Sequence, residues 1–476
     1  MIATTRRRDP LSIRMPRITK VAALTGLLLL IWSALFAPTF RYPFYWDDLH
    51  LIRSYTGPEI QSAFHAVPDP DKIETPGLRP CSILLFNFQG SIFGEDIVAH
   101  RVFMIVLMGI FMIATGTLLL EVGVSFYQLT IALLLFVSSR VFASIVLWIS
   151  LSHLILAYIW IALTAYFFVL WARKGRWWFL ILMLLACTLA TFTREETYTL
   201  PVVLPILWLI SSIDRTGWRR VAIAAVSLFA IVCFHYGLWH FLVPNALSPQ
   251  ISFSAGKRLL RAMAAAWLPC GFNWIGTTDQ FVGIIWVTFL IAIVICFLAV
   301  ANSQVRWQFL GTCCLGALLS LPALAIARPF GIALPTLAFM TAISIAITQL
   351  YGHVRRQDQL QKWQRYAVVS FIVAGLALGI GGGIRRSKCV AESIQENSVA
   401  RAVRDGEFLF DSLDHPPTIP APRRQAGLAR LQRFGIQSPA DLKSLKESLS
   451  QHPDEYRRQT STSNDLFLSK YDYLSL

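Results

Sequence analysis

The chain has 476 residues, of which 55% are hydrophobic and only 14% charged, against roughly 25% charged in an ordinary soluble domain. That is too few charges to cover a water-facing surface. The formal net charge of +15 sits mainly in connections between apolar runs, so it reports membrane topology and gives no reason to expect nucleic acid as a partner.

Residues 1–20 form a basic N-terminus, with Arg6, Arg7, Arg8, Arg14, Arg17 and Lys20 ahead of the first apolar run. The positive-inside rule places this segment in the cytoplasm. The run itself, about 21–38, is long for a signal peptide, and Pro38 directly after Ala37 disfavours cleavage, so it reads as a retained anchor. Further runs of near-spanning length follow at about 101–120, 127–147, 153–172, 177–192, 198–213, 221–242, 281–301, 307–326, 332–351 and 366–384. The expected fold is therefore an all-α polytopic bundle of about eleven transmembrane helices over 21–384, with the lipid bilayer as its solvent. Basic clusters at Arg173 to Arg176, Arg215 to Arg220 and Arg355 to Arg365 recur in alternate connections and mark the cytoplasmic face.

The large first outer loop spans 41–99. Within it Gly57-Pro58 breaks the chain, and Ile60, Ala63, Phe64 and Val67 then fall at helical spacing, which predicts a short amphipathic helix on the interface. Pro68 to Gly77, rich in proline and acidic residues, reads as a loop. Arg140 is the awkward charge within a predicted span, and it should pack inside the bundle or lie nearer an end. After Ile384 a soluble segment, 385–476, contains a Pro-rich linker at 416–422 and a helix opening at Ser438-Pro439 with Leu442, Leu445 and Leu449 on one face. Its side of the membrane is open: eleven spans put it outside, whereas Arg385, Arg386 and Lys388 favour the inside.

Chemistry-bearing residues gather in the outer connections. Asp47 and Asp48 follow Trp46 just after the first span. Such a pair is either two solvated charges after a helix end, or a base with a neighbour that orients a substrate or holds an ion. Arg79 closes the loop, His100 enters the second span, His153 opens the fourth, Arg194 precedes Glu195 and Glu196, and Arg328 precedes Pro329 and Gly331. Each arginine is either a snorkelling helix end or a phosphate ligand, since guanidinium makes paired hydrogen bonds to phosphate oxygens. Each histidine alone reads as a polar anchor, and His235 and His240 as packing. No His/Cys/Asp cluster has metal-ligand spacing.

In order, Trp46-Asp47-Asp48, Leu78-Arg79-Pro80 with His100, Ile145 to Ile155 (IVLWISLSHLI), Phe192 to Leu204 (FTREETYTLPVVL) and Ala327 to Phe339 (ARPFGIALPTLAF) resemble elements of the GT-C superfamily of membrane glycosyltransferases. That superfamily includes the protein O-mannosyltransferases and the lipid A aminoarabinose transferases. The resemblance covers residues 21 to about 350. It departs at Leu78 and Phe103, where Tyr and Asn are common, at Arg194, where Lys is, and in the tail, which lacks a tetratricopeptide pattern.

The resemblance implies inverting transfer of a sugar from a polyprenyl-phosphate carrier to an acceptor hydroxyl on a glycan, lipid or protein, on the outer face of a bacterial inner membrane. Asp47 and Asp48 would be catalytic, and Arg328, Arg79 and Arg194 would hold the donor phosphate. Trp46, His100, His153 and Glu195 would contribute to substrate binding. No cofactor is expected, although in some relatives an acidic pair holds a divalent ion. The rivals are a transporter or flippase for a lipid-linked or small substrate, which would place ionisable groups along a path through the bundle, and a scaffold that has kept the fold without catalysis.

Overall fold

The computed structural model describes residues 16–42, 48–65, 78–94, 96–210, 217–242, 277–321, 332–357, 361–414 and 436–450. These residues form helices joined by turns, with no strand among them. Helix α1 (Arg17–Leu35) and helix α5 (Ile97–Glu121) are separated by α2 (Asp48–Leu51), α3 (Gly57–Ser62) and α4 (Pro80–Phe93). There follow α6 (Phe126–Ser138), α7 (Arg140–Leu147), α8 (Ser152–Lys174), α9 (Trp177–Thr191), α10 (Leu200–Ile210) and α11 (Trp218–Leu242). The chain continues through α12 (Thr277–Val300), α13 (Ser303–Leu319), α14 (Ala333–Arg356), α15 (Lys362–Asp414) and α16 (Pro439–Ser450).

Among the described residues, six stretches are long and apolar enough to cross a membrane: Arg17–Leu35, Ile97–Glu121, Ile149–Lys174, Trp218–Leu242, Ala333–Arg356 and Lys362–Lys388. The bent pair α6 and α7 makes a seventh if it is one span. A helix stands at each of the eleven expected places, but several are short. α9 has 15 residues, and α10 has 11 with Pro205 inside it. One apolar helix was not expected at all. The 14 residues of α4 fall short of the roughly 20 needed to cross a bilayer, so the run reads as loop although it packs like a helix. In the same loop, α3 begins at the expected Gly57-Pro58, capped reciprocally by Thr56 and Glu59. Val67, Pro68 to Gly77 and the 416–422 linker lie outside the described residues.

Burial separates core helices from peripheral ones. Over their apolar windows α14 is 83% and α8 72% buried, against 22% for α11 and for the spanning part of α15. A helix apolar all round can only be central or lipid-bathed. The exposed Ile223, Val226, Phe229 and Phe234 of α11 present the continuous apolar face that lipid accepts and water does not.

Two local features shape the bundle. Between α6 and α7 the chain bends by 60°. Ser139 restarts the helix there by accepting a hydrogen bond from the Phe142 backbone at 3.3 Å. Arg140 is consequently the first residue of α7, buried at 1% exposure, at a helix break inside the bundle. The second feature is the glycine run of α15, at the end of the span expected at 366–384; the helix continues through it to Asp414. A Cβ at Gly375 or Gly379 would lie 2.1 or 2.4 Å from the Phe289 or Trp286 ring, and one at Gly383 would lie 2.6 Å from the Ser138 carbonyl oxygen. Spaced four apart on one face, these glycines admit α12 and the α6–α7 break at close range.

The two ends of the bundle can be told apart by contacts. At one, Glu121 pairs with Arg173 at 2.8 Å and Arg17 at 3.4 Å, joining the end of α5 to the start of α1 and the end of α8. At the opposite end lie Asp48 and the start of α8. α15 leaves the bundle there: Ser387 donates to the Ser138 carbonyl, and Val390 and Ala391 join the main hydrophobic core. Arg386 is buried at 5% exposure, so this basic cluster is partly used in packing and carries a weak topological signal. α16 starts as expected, with Ser438 Oγ accepting from the Asp441 backbone and Leu442 buried.

A candidate active site at one end of the bundle

Asp48 opens α2 and is fully buried. Its Oδ1 accepts a 2.6 Å hydrogen bond from the backbone N–H of Ser150, in the 3-10 turn Ile149–Leu151 between α7 and α8. Arg101, buried in the first turns of α5, acts on Asp48 electrostatically and donates to the carbonyls of Leu147 and Tyr42. The carboxylate is thereby held in a water-excluded place with Arg101 as its neighbouring cation.

From Ser150 the contacts run on. The Ser150 carbonyl meets His153 Nδ1, and His153 Nε2 lies 2.6 Å from Arg194 Nη1. A guanidinium can only donate, so Nε2 is the acceptor and Nδ1 carries the proton given to Ser150. His153 is thus a neutral imidazole of fixed tautomer. Arg194 also grips Glu196 in a fork, with Nε–Oε2 and Nη2–Oε1 both at 2.9 Å. All three of its nitrogens are engaged within the protein.

A second ion pair stands beside the first. Arg79 Nε donates to Glu195 Oε1 at 2.8 Å and Oε2 at 3.1 Å. Burial alone would raise the pKa of Glu195, but Arg79, by charge and hydrogen bond, and then Arg194 bring it from 4.5 to about 2. Pro80 starts α4 directly after Arg79, where a missing N–H costs nothing. The segments are zipped together by the Cys81 backbone donating to the Phe192 carbonyl and the Ser82 hydroxyl donating to that of Thr193.

The support behind Arg79 includes a histidine expected only to pack. Leu78 offers a carbonyl to His235, which must therefore donate from Nε2 at 3.0 Å, leaving Nδ1 to accept from the Tyr198 hydroxyl at 2.7 Å. Burial raises the Tyr198 pKa above its ordinary 10, so the phenol stays a donor. Tyr158 on α8 connects the cluster to α14: it takes a hydrogen bond from the Ala333 backbone and senses Glu196 and Arg194.

Of the residues expected from sequence, Asp48, Arg79, His153, Arg194 and Glu195 are brought together. His100 is placed differently. Its Nε2 bonds the Gly94 carbonyl at 3.0 Å and its ring meets Phe93 edge-on, fixing the turn between α4 and α5. Trp46, Asp47 and Arg328 lie outside the described residues. Sequence reasoning missed Arg101, Ser150, Tyr198 and His235, whereas Glu196, adjacent in sequence and readable as a local partner for the Arg194 charge, does pair with it. Tyr198 and Glu196 lie within the quoted Phe192 to Leu204 element, whereas Arg101 and His235 carry no local signal. Among the described residues no group of three or more His, Cys, Asp or Glu could hold a metal ion. No protein-family model matches the chain, and no curated protein matches it in sequence.

Proposed function

We propose that the chain is a membrane glycosyltransferase that moves a sugar from a polyprenyl-phosphate donor to an acceptor hydroxyl. The observation that carries this reading is the continuous set of contacts from the buried Asp48 through Ser150 and His153 to the part-buried Arg194 and Glu196, with Arg79–Glu195 beside it. Four segments distant in sequence converge to place carboxylates and cations at one end of an apolar bundle, where a lipid head group meets the protein. The eleven-span arrangement of the GT-C superfamily, with the N-terminus inside and this end facing outward from a bacterial inner membrane, belongs to the same proposal.

The roles follow from the chemistry. A carboxylate takes the acceptor's proton as its oxygen attacks the anomeric carbon opposite the leaving phosphate. Asp48, tied to Ser150 and facing Arg101, is suited to hold the site open and orient the acceptor, which assigns the base to its neighbour Asp47. The leaving phosphate needs a cation rather than a protonating acid. Arg328 is the residue assigned first to the phosphate, with Arg79 and Arg194, which are paired with Glu195 and with Glu196 and His153, as second choices. The buried arginines Arg101 and Arg140 lie towards this one end instead of along a path across the bundle, which favours a transferase over a transporter.

The test is turnover. Purified protein given radiolabelled polyprenyl-phosphate sugars and an acceptor extract should release free polyprenyl phosphate. Asp47→Asn should lose transfer by orders of magnitude while unfolding at the wild-type temperature. If the intact protein consumes no donor with any acceptor, the proposal fails.

A further inference from the structure

The turn between α8 and α9 is built around an arginine from a distant segment. Gly175 ends α8 in the left-handed region, at φ 66°, where a side chain would be strained. A Cβ there would also lie 2.7 Å from Arg220 Cζ, so the glycine leaves room for that guanidinium. Arg220 Nη1 donates to the Ala172 carbonyl at 3.1 Å, and Trp171 Nε1 donates to the Arg220 carbonyl at 3.2 Å. The first turn of α11 is thereby fastened over the last turn of α8, which brings Arg220 to the turn that carries Lys174 and Arg176.

Charge at this turn is one-sided. Lys174, Arg176, Arg219 and Arg220 are all exposed. Among the described residues the acidic side chain at this end of the bundle is Glu121, and Arg17 and Arg173 already pair with it. The Arg176 side chain makes no hydrogen bond or ion pair among the described residues. Exposed apolar side chains run on directly from these cations: Trp177, Ile181 and Leu185 at steps of four along α9, and Trp218, Ile223 and Val226 along α11. α11 packs against both α8 and α9, so both apolar faces start from the same turn.

We infer that this turn binds one anionic phospholipid, with Arg220 and Arg176 on its phosphate and its acyl chains along the exposed faces of α9 and α11. Guanidinium makes paired hydrogen bonds to phosphate oxygens, and tryptophan favours the level of the head groups. The uncompensated charge selects a lipid with net negative charge over a zwitterionic one. A soluble anion would use the cations and leave the apolar faces idle, whereas a phospholipid engages both. The site lies at the Glu121 end, away from Asp48 and Arg79, and is a lipid position separate from any that serves transfer.

Titration of the full-length protein in detergent with dioleoyl phosphatidylglycerol, dioleoyl phosphatidylcholine and inorganic phosphate tests it. The two lipids share a phosphate and acyl chains and differ in net charge. Phosphatidylglycerol should bind saturably, and phosphatidylcholine about tenfold more weakly or worse. Arg220→Gln and Arg176→Gln should each weaken phosphatidylglycerol about fivefold, the worth of one charge near a head group, with phosphatidylcholine unaffected. Arg176→Gln should keep the wild-type unfolding temperature, since that side chain ties nothing together. Arg356→Gln removes an equally exposed charge at the same end, on α14, and should leave binding unchanged. Equal loss in Arg356→Gln would reduce the site to diffuse surface attraction and overturn it. Equal affinity for the two lipids, displacement of phosphatidylglycerol by equimolar inorganic phosphate, or unchanged binding in both Arg176→Gln and Arg220→Gln would each overturn it as well.

Discussion

At one end of the bundle Glu121 lies between Arg17 and Arg173, whose side chains are 68% and 30% exposed. At the other, Arg194 and Glu196 are 14% and 12% exposed, and their neighbours are a histidine of fixed tautomer and a second ion pair. The residue types are the same and the physics differs. Exposed pairs gain about 0–1 kcal/mol, so the Glu121 pairs serve as an ordinary tie between helix ends. Buried pairs gain little over apolar packing, yet removing one partner costs about 3–5 kcal/mol. A cluster of the second kind is therefore conspicuous mainly for what it holds in position.

The comparison can be broken by substitution. Arg194→Met leaves Glu196 without its fork and His153 without a donor. Unfolding in detergent should show a loss of about 3–5 kcal/mol, and a change under 1 kcal/mol would place this pair with the exposed ones. A smaller effect is expected from acid. The carboxyl of Glu195 is held at about 2 in the folded chain against an ordinary 4.5, so its contribution is complete above pH 4.5 and fades as pH falls toward 2. Wild-type unfolding temperature should drop across that window more steeply than that of Glu195→Gln, which starts lower at neutral pH. Parallel pH profiles would show that Arg79 does not stabilise this carboxylate. The smallest effect belongs to the opposite end, where Glu121→Gln should change stability by less than about 1 kcal/mol and leave the binding of sugar-phosphate probes unchanged.

Much of the helical order was legible because an apolar run has few alternatives in a membrane. α8 was expected at 153–172 and forms Ser152–Lys174. α4 was not legible, because fourteen residues satisfy no spanning criterion. The α6–α7 break escaped notice because Ser138 and Ser139 interrupt hydropathy too little. The continuation of α15 past the span expected at 366–384 was not legible for a physical reason: glycine both ends helices and lets them approach, and only the neighbours Trp286, Phe289 and Ser138 decide which. At the site, the positions were readable and the pairings were not. Nothing in Arg194-Glu195-Glu196 says that Arg194 takes the second glutamate while the first crosses to Arg79. That choice depends on where α4 begins. His235, far from any motif, is tied in through Leu78 and Tyr198, a relation that exists only in three dimensions.

The 53 residues of α15 amount to a rod about 80 Å long at 1.5 Å per residue, more than twice the roughly 30 Å of hydrocarbon it would cross. It is held along one face rather than at a point: Gly375 and Gly379 meet Phe289 and Trp286, Gly383 and Ser387 meet the Ser138 carbonyl, and Val390 and Ala391 enter the core. The same helix therefore braces the residue just before the capped break between α6 and α7, while about twenty residues beyond Ala391 carry it past the length a bilayer requires.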